Sequence, residues 1–303
     1  MNKKLLLTAI IAVFGQFSYA QFITVVSTDF LKMSDNSTCF SPRFSPAGDY
    51  LLISSSGYTG LRAYDFASKT ITRITDDAGA GYNTQISADG KTILYNKTEL
   101  IKNLRHNSLI QVEKATRIKK QLSASTRESI TPRFVSNKST YIIGKKFVKT
   151  NVSNSEAKPI ITIEDRKMVL YTTNARKVLT PNGTTASYIW PVISPDGQKI
   201  AYTVVGKNTY VCKLNGTEPV SVGYINSPQW LNSSWLIGMD DKDDGEKLIS
   251  SDLVAVSVDG KKHQKLTIPA GKMALYPAAS ADGKRIAFTT QKGELYILAV
   301  RIN

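Results

Sequence analysis

Four times in 303 residues the chain writes one phrase. It reads Phe44-Ser45-Pro46-Ala47-Gly48 ahead of residues 50–54, Ile86-Ser87-Ala88-Asp89-Gly90 ahead of 93–96, Ile193-Ser194-Pro195-Asp196-Gly197 ahead of 200–202, and Ala279-Ser280-Ala281-Asp282-Gly283 ahead of 286–288. Each copy spells a tight hairpin feeding a strand. Proline presets φ for the first central turn position, Asp tolerates the second and binds local amides, and Gly takes the left-handed position. The alternating β-branched and aromatic residues that follow are a strand signal. Asp89, Asp196 and Asp282 are therefore turn formers rather than catalytic carboxylates.

Two degraded copies complete the series: Pro132-Arg133-Phe134-Val135 and Pro228-Gln229-Trp230-Leu231. Taken at positions 45, 87, 135, 194, 231 and 280, the repeats are spaced by 42, 48, 59, 37 and 49 residues. Propeller repeats run to roughly 40–50 residues, and no long helical period competes. The pattern predicts an all-β chain, a six-bladed β-propeller of four-stranded antiparallel blades, with 21–303 as one domain. The last unit stops after its third strand. An unassigned strand signal at 22–32 is expected to supply the missing outer strand, which would close the ring and remove an open edge.

The units resemble the PD40 (WD40-like) repeat of the TolB-like family of periplasmic propellers. The residues that carry the likeness are the Pro-x-x-Ser-Pro/Ala-Asp-Gly cores at 191–202 and 277–288, with the Leu-Thr pairs at 179–180 and 266–267. The resemblance extends over essentially all of 21–303. It implies an envelope-integrity or transport-accessory role with a protein partner, and no enzyme activity. TolB-like proteins carry an α/β domain ahead of the propeller, for which 21–303 leaves no room. The prolyl-oligopeptidase-like peptidases, which share the repeat, add a hydrolase domain, and this sequence contains no Gly-x-Ser-x-Gly.

The first twenty residues have a basic start, an apolar run at 5–14 and a Ser18-Tyr19-Ala20 cleavage site. That is the pattern of a secretory signal peptide over 1–20, and the run is too short for the ~20 residues of a spanning helix. No Cys follows it to carry a lipid. The chain is expected to be periplasmic or secreted, monomeric, and without an integral membrane span. Its net charge is +15, concentrated at 97–149, where thirteen Lys and Arg face three Glu. Export and the lack of any nucleic-acid motif exclude nucleic acid as the target. An envelope polymer or a protein remains as partner.

The two histidines, His106 and His263, fall on different blades, so neither a His-based triad nor a His metal cluster is expected. The acidic run at 240–246 is not an EF-hand, because Lys242 occupies a ligand position and Ser251 stands where the bidentate Glu belongs. It is a solvated hairpin, and no cofactor is expected. In a six-membered ring Cys39 and Cys212 lie on opposite blades, 1 and 4, so both are expected to be free thiols, with Cys212 buried. Inner strands line the axial channel of a propeller, and the segments leading into them form its rim. The candidate partner-binding residues are therefore Arg43, Tyr82, Arg133, Tyr188, Trp190, Gln229 and Tyr276. The alternative to partner binding is an enzyme or lectin-like binder acting on an anionic polysaccharide in the channel.

Overall fold

Seven antiparallel sheets, not six, form the ring. The computed structural model describes residues 21–33, 37–150, 152 and 157–303, so the signal peptide expected at 1–20 lies outside the described residues. Blade 1 runs outward through Phe40–Phe44, Tyr50–Ser55, Thr59–Asp65 and Ile71–Thr75, and blade 2 through Gln85–Ile86, Thr92–Ile101, Leu104–Glu113 and Lys119–Gln121. Blade 3 has three strands, Ile130–Val135, Lys138–Ile143 and Lys146–Thr150, as does blade 4, with Ile160–Glu164, Lys167–Tyr171 and Arg176–Leu179. Blade 5 comprises Tyr188–Ile193, Lys199–Val204, Thr209–Lys213 and Val220–Ser221, and blade 6 Asn226–Trp230, Trp235–Asp243, Leu248–Ser257 and His263–Lys265. Blade 7 takes Leu275–Ala279, Arg285–Thr289 and Leu295–Ile302 from the C-terminus, and Ile23–Leu31 from the N-terminus. Each inner strand runs from what we term the upper face to the lower face.

The count of six fails at the 59-residue gap. Two short blades fill it, with Val135, Glu164 and Ser194 placed 29 and 30 residues apart at equivalent inner-strand ends. Both blades turn in two residues, Ser136-Asn137 and Asp165-Arg166, with positive φ at Ser136, Asp165 and Arg166 and no glycine. Blade 4 carries no Ser-x-Asp-Gly at all, so it is silent to a search for that phrase. Among the described residues five blades are four-stranded, rather than the whole ring.

Closure comes from the termini. The N-terminal strand pairs antiparallel with the last strand, from Ile23 opposite Ile302 to Leu31 opposite Leu295. Gln264 of blade 6 clamps it from the side: its Oε1 accepts the N–H groups of Phe22 at 2.8 Å and Ile23 at 2.9 Å, and its amide donates to the Ile23 carbonyl.

The repeated phrase is a hydrogen-bonded turn on the lower face. The hydroxyls of Ser87, Ser194 and Ser280 donate to Asp89, Asp196 and Asp282 at 2.6, 2.5 and 2.5 Å. The same oxygens accept the N–H of Thr92, Lys199 and Arg285, each at 2.9 Å. The glycine N–H returns to the serine carbonyl at 2.9 Å in all four copies. In blade 1, where Ala47 replaces the Asp, Ser45 turns to Asp49 at 2.6 Å. A further copy, Ser257-Val258-Asp259-Gly260, joins the outer strands of blade 6. Side chains stitch neighbouring blades: buried Tyr50 donates to the Gly90 carbonyl at 2.7 Å, and half-buried Arg285 to that of Gly48 at 2.5 Å.

Both cysteines are buried thiols outside any disulfide. Cys39 precedes the inner strand of blade 1, and Cys212 lies on the third strand of blade 5, not blade 4, in a separate apolar cluster. Burial pushes the Cys212 thiol up to about 12.

Replacing Ser194 with Ala removes one donor and leaves Lys199 N–H short of its acceptor. Urea unfolding should show a loss of about 1–3 kcal/mol, and an unchanged midpoint would refute this role. The serine hydroxyls, then the backbone amides, hold Asp89, Asp196 and Asp259 below the usual carboxylate range. A folded-state value below the unfolded one means stability that is fully present above the unfolded pKa and is lost as pH falls through the folded one. The urea midpoint should therefore hold on acidification until about pH 4 and decline below it. A decline already complete by pH 5 would contradict this assignment.

Candidate functional site: the upper face and the channel mouth

Five inner strands start with the same distortion. Ser41, Asn83, Trp190, Ser227 and Tyr276 have φ of 50°, 53°, 51°, 50° and 48°. Four of them immediately precede a proline: Pro42, Pro191, Pro228 and Pro277. At those four the ladder slips by a bulge, between Phe40 and Arg43, Ile189 and Val192, Asn226 and Gln229, and Leu275 and Ala278. Proline is tolerated because the inner strand's free edge faces the axis and needs no ladder donor. A bulge re-aims side chains, and a bulky residue at positive φ is costly, of order 1–3 kcal/mol. Blades 3 and 4 keep an unbroken register instead.

The distortion presents aromatic side chains at the mouth. Trp190, Tyr82 and Tyr276 are exposed there, at 38%, 48% and 48%. Tyr82 meets the edge of Tyr58 at 5.4 Å. Tyr58 belongs to the Ser56–Tyr58 turn of blade 1, and burial, then Tyr276 and Tyr82, raise its phenol pKa. Tyrosines of blades 7, 1 and 2 thus form one cluster. Tyr58 lies outside the expected set, although the Ser-Gly-Tyr-Thr-Gly run around it marks an aromatic on a loop tip. Tyr188, expected at the rim, is fully buried: its hydroxyl donates to the Gly183 carbonyl at 2.9 Å and accepts from Asn182 N–H at 3.0 Å, and its ring lies against Tyr202. Residues two apart share a face in a regular strand, but the bulge separates Tyr188 from Trp190.

Two long hairpins overhang this face. The second and third strands of blade 2 are ten residues each and those of blade 6 nine and ten, against six for the second strands of blades 1 and 3. The blade 2 tip exposes Leu100, Ile101 and Leu104 beside Lys102 and Arg105, and Lys145 and Lys146 follow on blade 3. The acidic run at 240–246 is the blade 6 hairpin, one blade later than a six-bladed count places it. Asn226 donates to Asp241 at 2.8 Å and to the hydroxyl of exposed Tyr224 at 3.0 Å. The face is therefore basic over blades 2 and 3 and acidic across the ring. Among the described residues no three His, Cys, Asp or Glu side chains gather to hold a metal; His106 sits in the blade 2 hairpin and His263 on the outer strand of blade 6.

Two residues before each lower turn, the inner strands place Arg43, Gln85, Arg133, Thr162, Val192, Gln229 and Ala278 around the axis. Val192 and Ala278 pack between blades. Arg43 is open to solvent although it lies mid-way along an innermost strand, so the channel itself must wet it. Arg133 is half-buried, and desolvation by the surrounding protein lowers its pKa. Among the described residues neither guanidinium has a hydrogen-bonding or ionic partner, and the ring of seven holds no carboxylate.

Solved structures share this architecture. TolB from Acinetobacter baumannii matches with a TM-score of 0.50 at 16% identity, over 89% of this chain and 57% of that one. The fold is that of a TolB-like propeller. This propeller also matches an oligogalacturonate lyase in complex with manganese (TM-score 0.50, 14% identity, 87% and 78% covered). A chain of the mitotic checkpoint complex gives a TM-score of 0.62 at 10% identity, over 99% of both chains. Likeness at such identities is one of fold, and the chain spans little more than half the length of the Acinetobacter TolB. No family model matches the sequence, and no curated protein is similar to it.

If the strained aromatics serve binding rather than folding, glycine should relieve the backbone at no structural cost. Tyr276→Gly is expected to leave stability unchanged or raise it by about 1 kcal/mol in urea unfolding. A loss beyond about 2 kcal/mol, the scale of a packed core side chain, would make Tyr276 a structural residue.

Proposed function

We propose that this TolB-like propeller is a non-enzymatic binding module of the cell envelope that docks a protein partner on its upper face. The observation that carries the reading is the rim itself: aromatic residues held at positive φ on several blades, between a basic and an acidic sector. Aromatic and Arg anchors within a polar surround are what protein interfaces use, and complementary charge orients a partner. The leader sequence and the TolB-like fold support an exported, periplasmic setting. A second reading, a binder or enzyme acting on an anionic polysaccharide, draws support from the unpaired channel arginines and the fold shared with the lyase.

Capture from a crosslinked envelope extract tests the first reading. Tagged wild-type protein should retain a discrete protein, and Trp190→Ala with Tyr276→Ala should cut its recovery about tenfold or more. Recovery of no protein above background, or recovery indifferent to both substitutions, would overturn it. Consumption of a soluble polyuronate by the purified protein would establish the second reading instead.

A further inference from the structure

Leu100, at 75%, is the most exposed large apolar side chain among the described residues, and Ile101 and Leu104 beside it are 42% and 44% exposed. All three stand at the end of the blade 2 hairpin. Ile101 pairs with Leu104 and Leu100 with Arg105, so apolar side chains occupy both faces of the hairpin. A hairpin laid against its neighbours needs them on one face only. Lys102 and Asn103 close it as a two-residue turn with φ of 51° and 61°, a tight and well-registered connection. The stem below is braced from both sides. Thr98 N–H donates to the Ala78 carbonyl at 2.8 Å, and Asn107 exchanges backbone bonds with Thr126 at 2.7 and 2.9 Å. From Thr98 to Ile101 the strand rises about 10 Å clear of these braces. Cations surround the tip. Lys102 and Arg105 lie on it, and Arg127 follows Thr126 on the bracing segment. Lys145 and Lys146 follow Gly144 of blade 3, whose N–H donates to Ser129 of that same segment at 3.0 Å. All five are exposed. Of the two carboxylates in this sector, Glu99 is paired with Lys97 at 2.7 Å, and Glu128 is the other.

We propose that the blade 2 hairpin tip docks the propeller on the anionic surface of a phospholipid bilayer. Leu100, Ile101 and Leu104 enter the boundary between headgroups and acyl chains, and the surrounding cations meet the lipid phosphates. Segments lying in that boundary bury to roughly 5–10 Å, which the height of the tip matches. Deeper insertion is barred, because the outer edges of the two strands carry N–H and C=O groups that hydrocarbon leaves unsatisfied. A protein partner suits the tip less well. Protein interfaces rely on Trp, Tyr and Arg set into pockets and are depleted in Lys, whereas this tip is convex, aliphatic and ringed by lysines. The acidic hairpin of blade 6 projects from the same face in another sector, and anionic lipid repels it. The ring therefore meets the bilayer tilted onto blades 2 and 3 rather than face-on. This contact is separate from the aromatic mouth and does not depend on what docks there.

The test uses residues 21–303, which hold every described strand of the ring, so that the apolar run at 5–14 plays no part. Vesicles of equal parts phosphatidylcholine and phosphatidylglycerol should sediment the protein, pure phosphatidylcholine should not, and added salt should weaken the binding. Leu100→Gln/Leu104→Gln should lower affinity for the mixed vesicles about tenfold or more, and Lys102→Gln/Arg105→Gln about tenfold. These four side chains are exposed, so melting temperatures should stay at the wild-type value. Insertion is read with an environment-sensitive fluorophore on an introduced cysteine, since Cys39 and Cys212 are buried. On Leu104→Cys its emission should shift to the blue with the mixed vesicles. On Ile249→Cys in the acidic hairpin, a site 54% exposed in the wild type, it should not. The proposal is overturned if wild type stays in solution with the mixed vesicles, or binds pure phosphatidylcholine as tightly. It is overturned equally if either double variant sediments as wild type does, or if the fluorophore responds alike at both sites. An envelope protein captured through Leu100 and Leu104 by a chain that ignores vesicles would put a protein in the bilayer's place.

Discussion

The ring depends on pairing its two ends. A propeller blade buries its apolar faces only against neighbours, so an open ring would expose two of them along with a sheet edge. Here residues 23–31 and 295–302 share one sheet, and Gln264 ties that sheet's outermost strand to blade 6. The N-terminal strand is thus held on two sides, by a ladder and by a side chain. Ile23 lies fully buried in the same cluster as Leu253, Phe288 and Leu298, so closure is apolar as well as hydrogen-bonded.

With the ring closed, the two faces can diverge. The lower face repeats one solution: a serine hydroxyl bonds both the Asp that follows and the strand beyond, and a glycine completes the turn. The upper face repeats only a distortion, the left-handed residue at the start of the inner strand, and what that residue displays changes from blade to blade among Ser, Asn, Trp and Tyr. The repeated turn chemistry, shared by four of the seven inner hairpins, sits at one end. Variable, solvent-facing chemistry sits at the other, where two overlong hairpins also project.

Much of this is legible in the sequence, and where it is not the cause is local geometry. Ser-x-Asp-Gly marks blades 2, 5 and 7, and Ser-Pro-Ala-Gly marks blade 1, because that turn needs such residues, and the strand signal at 22–32 marks the closure because the last unit is short of a strand. Blade 4 escapes notice because its turn is a two-residue one in which Asp165 and Arg166 take positive φ without glycine. Among the described residues blades 3 and 4 show three strands each, so together they fit into a gap that reads as one long repeat. At the site, alternation fails where the bulge intervenes. Tyr188 and Trp190 look equivalent on paper, yet one ends in the core and the other at the mouth. Tyr58 is missed because it sits on a hairpin between the second and third strands, not on a segment leading into an inner strand.

Those same irregularities give the site its direction. Seven identical blades would offer a partner seven equivalent poses, and a partner bound in all of them would have no fixed orientation. Here the symmetry is broken in register at one sector. The bulged mouths of blades 5, 6, 7 and 1, with the left-handed entry of blade 2, adjoin the regular ones of blades 3 and 4. Arg43 and Arg133 stand on blades 1 and 3, the exposed tyrosines on blades 7, 1 and 2, and the acidic hairpin on blade 6. The aromatic cluster and the acidic hairpin lie on the upper face at different sectors, and the arginines stand further along the inner strands, two residues before the lower turns. A ligand that lays apolar surface on the tyrosines and positive charge on the acidic hairpin can do so in only one rotational setting of the ring. Specificity then follows from the order of blades around the axis, which no single blade encodes.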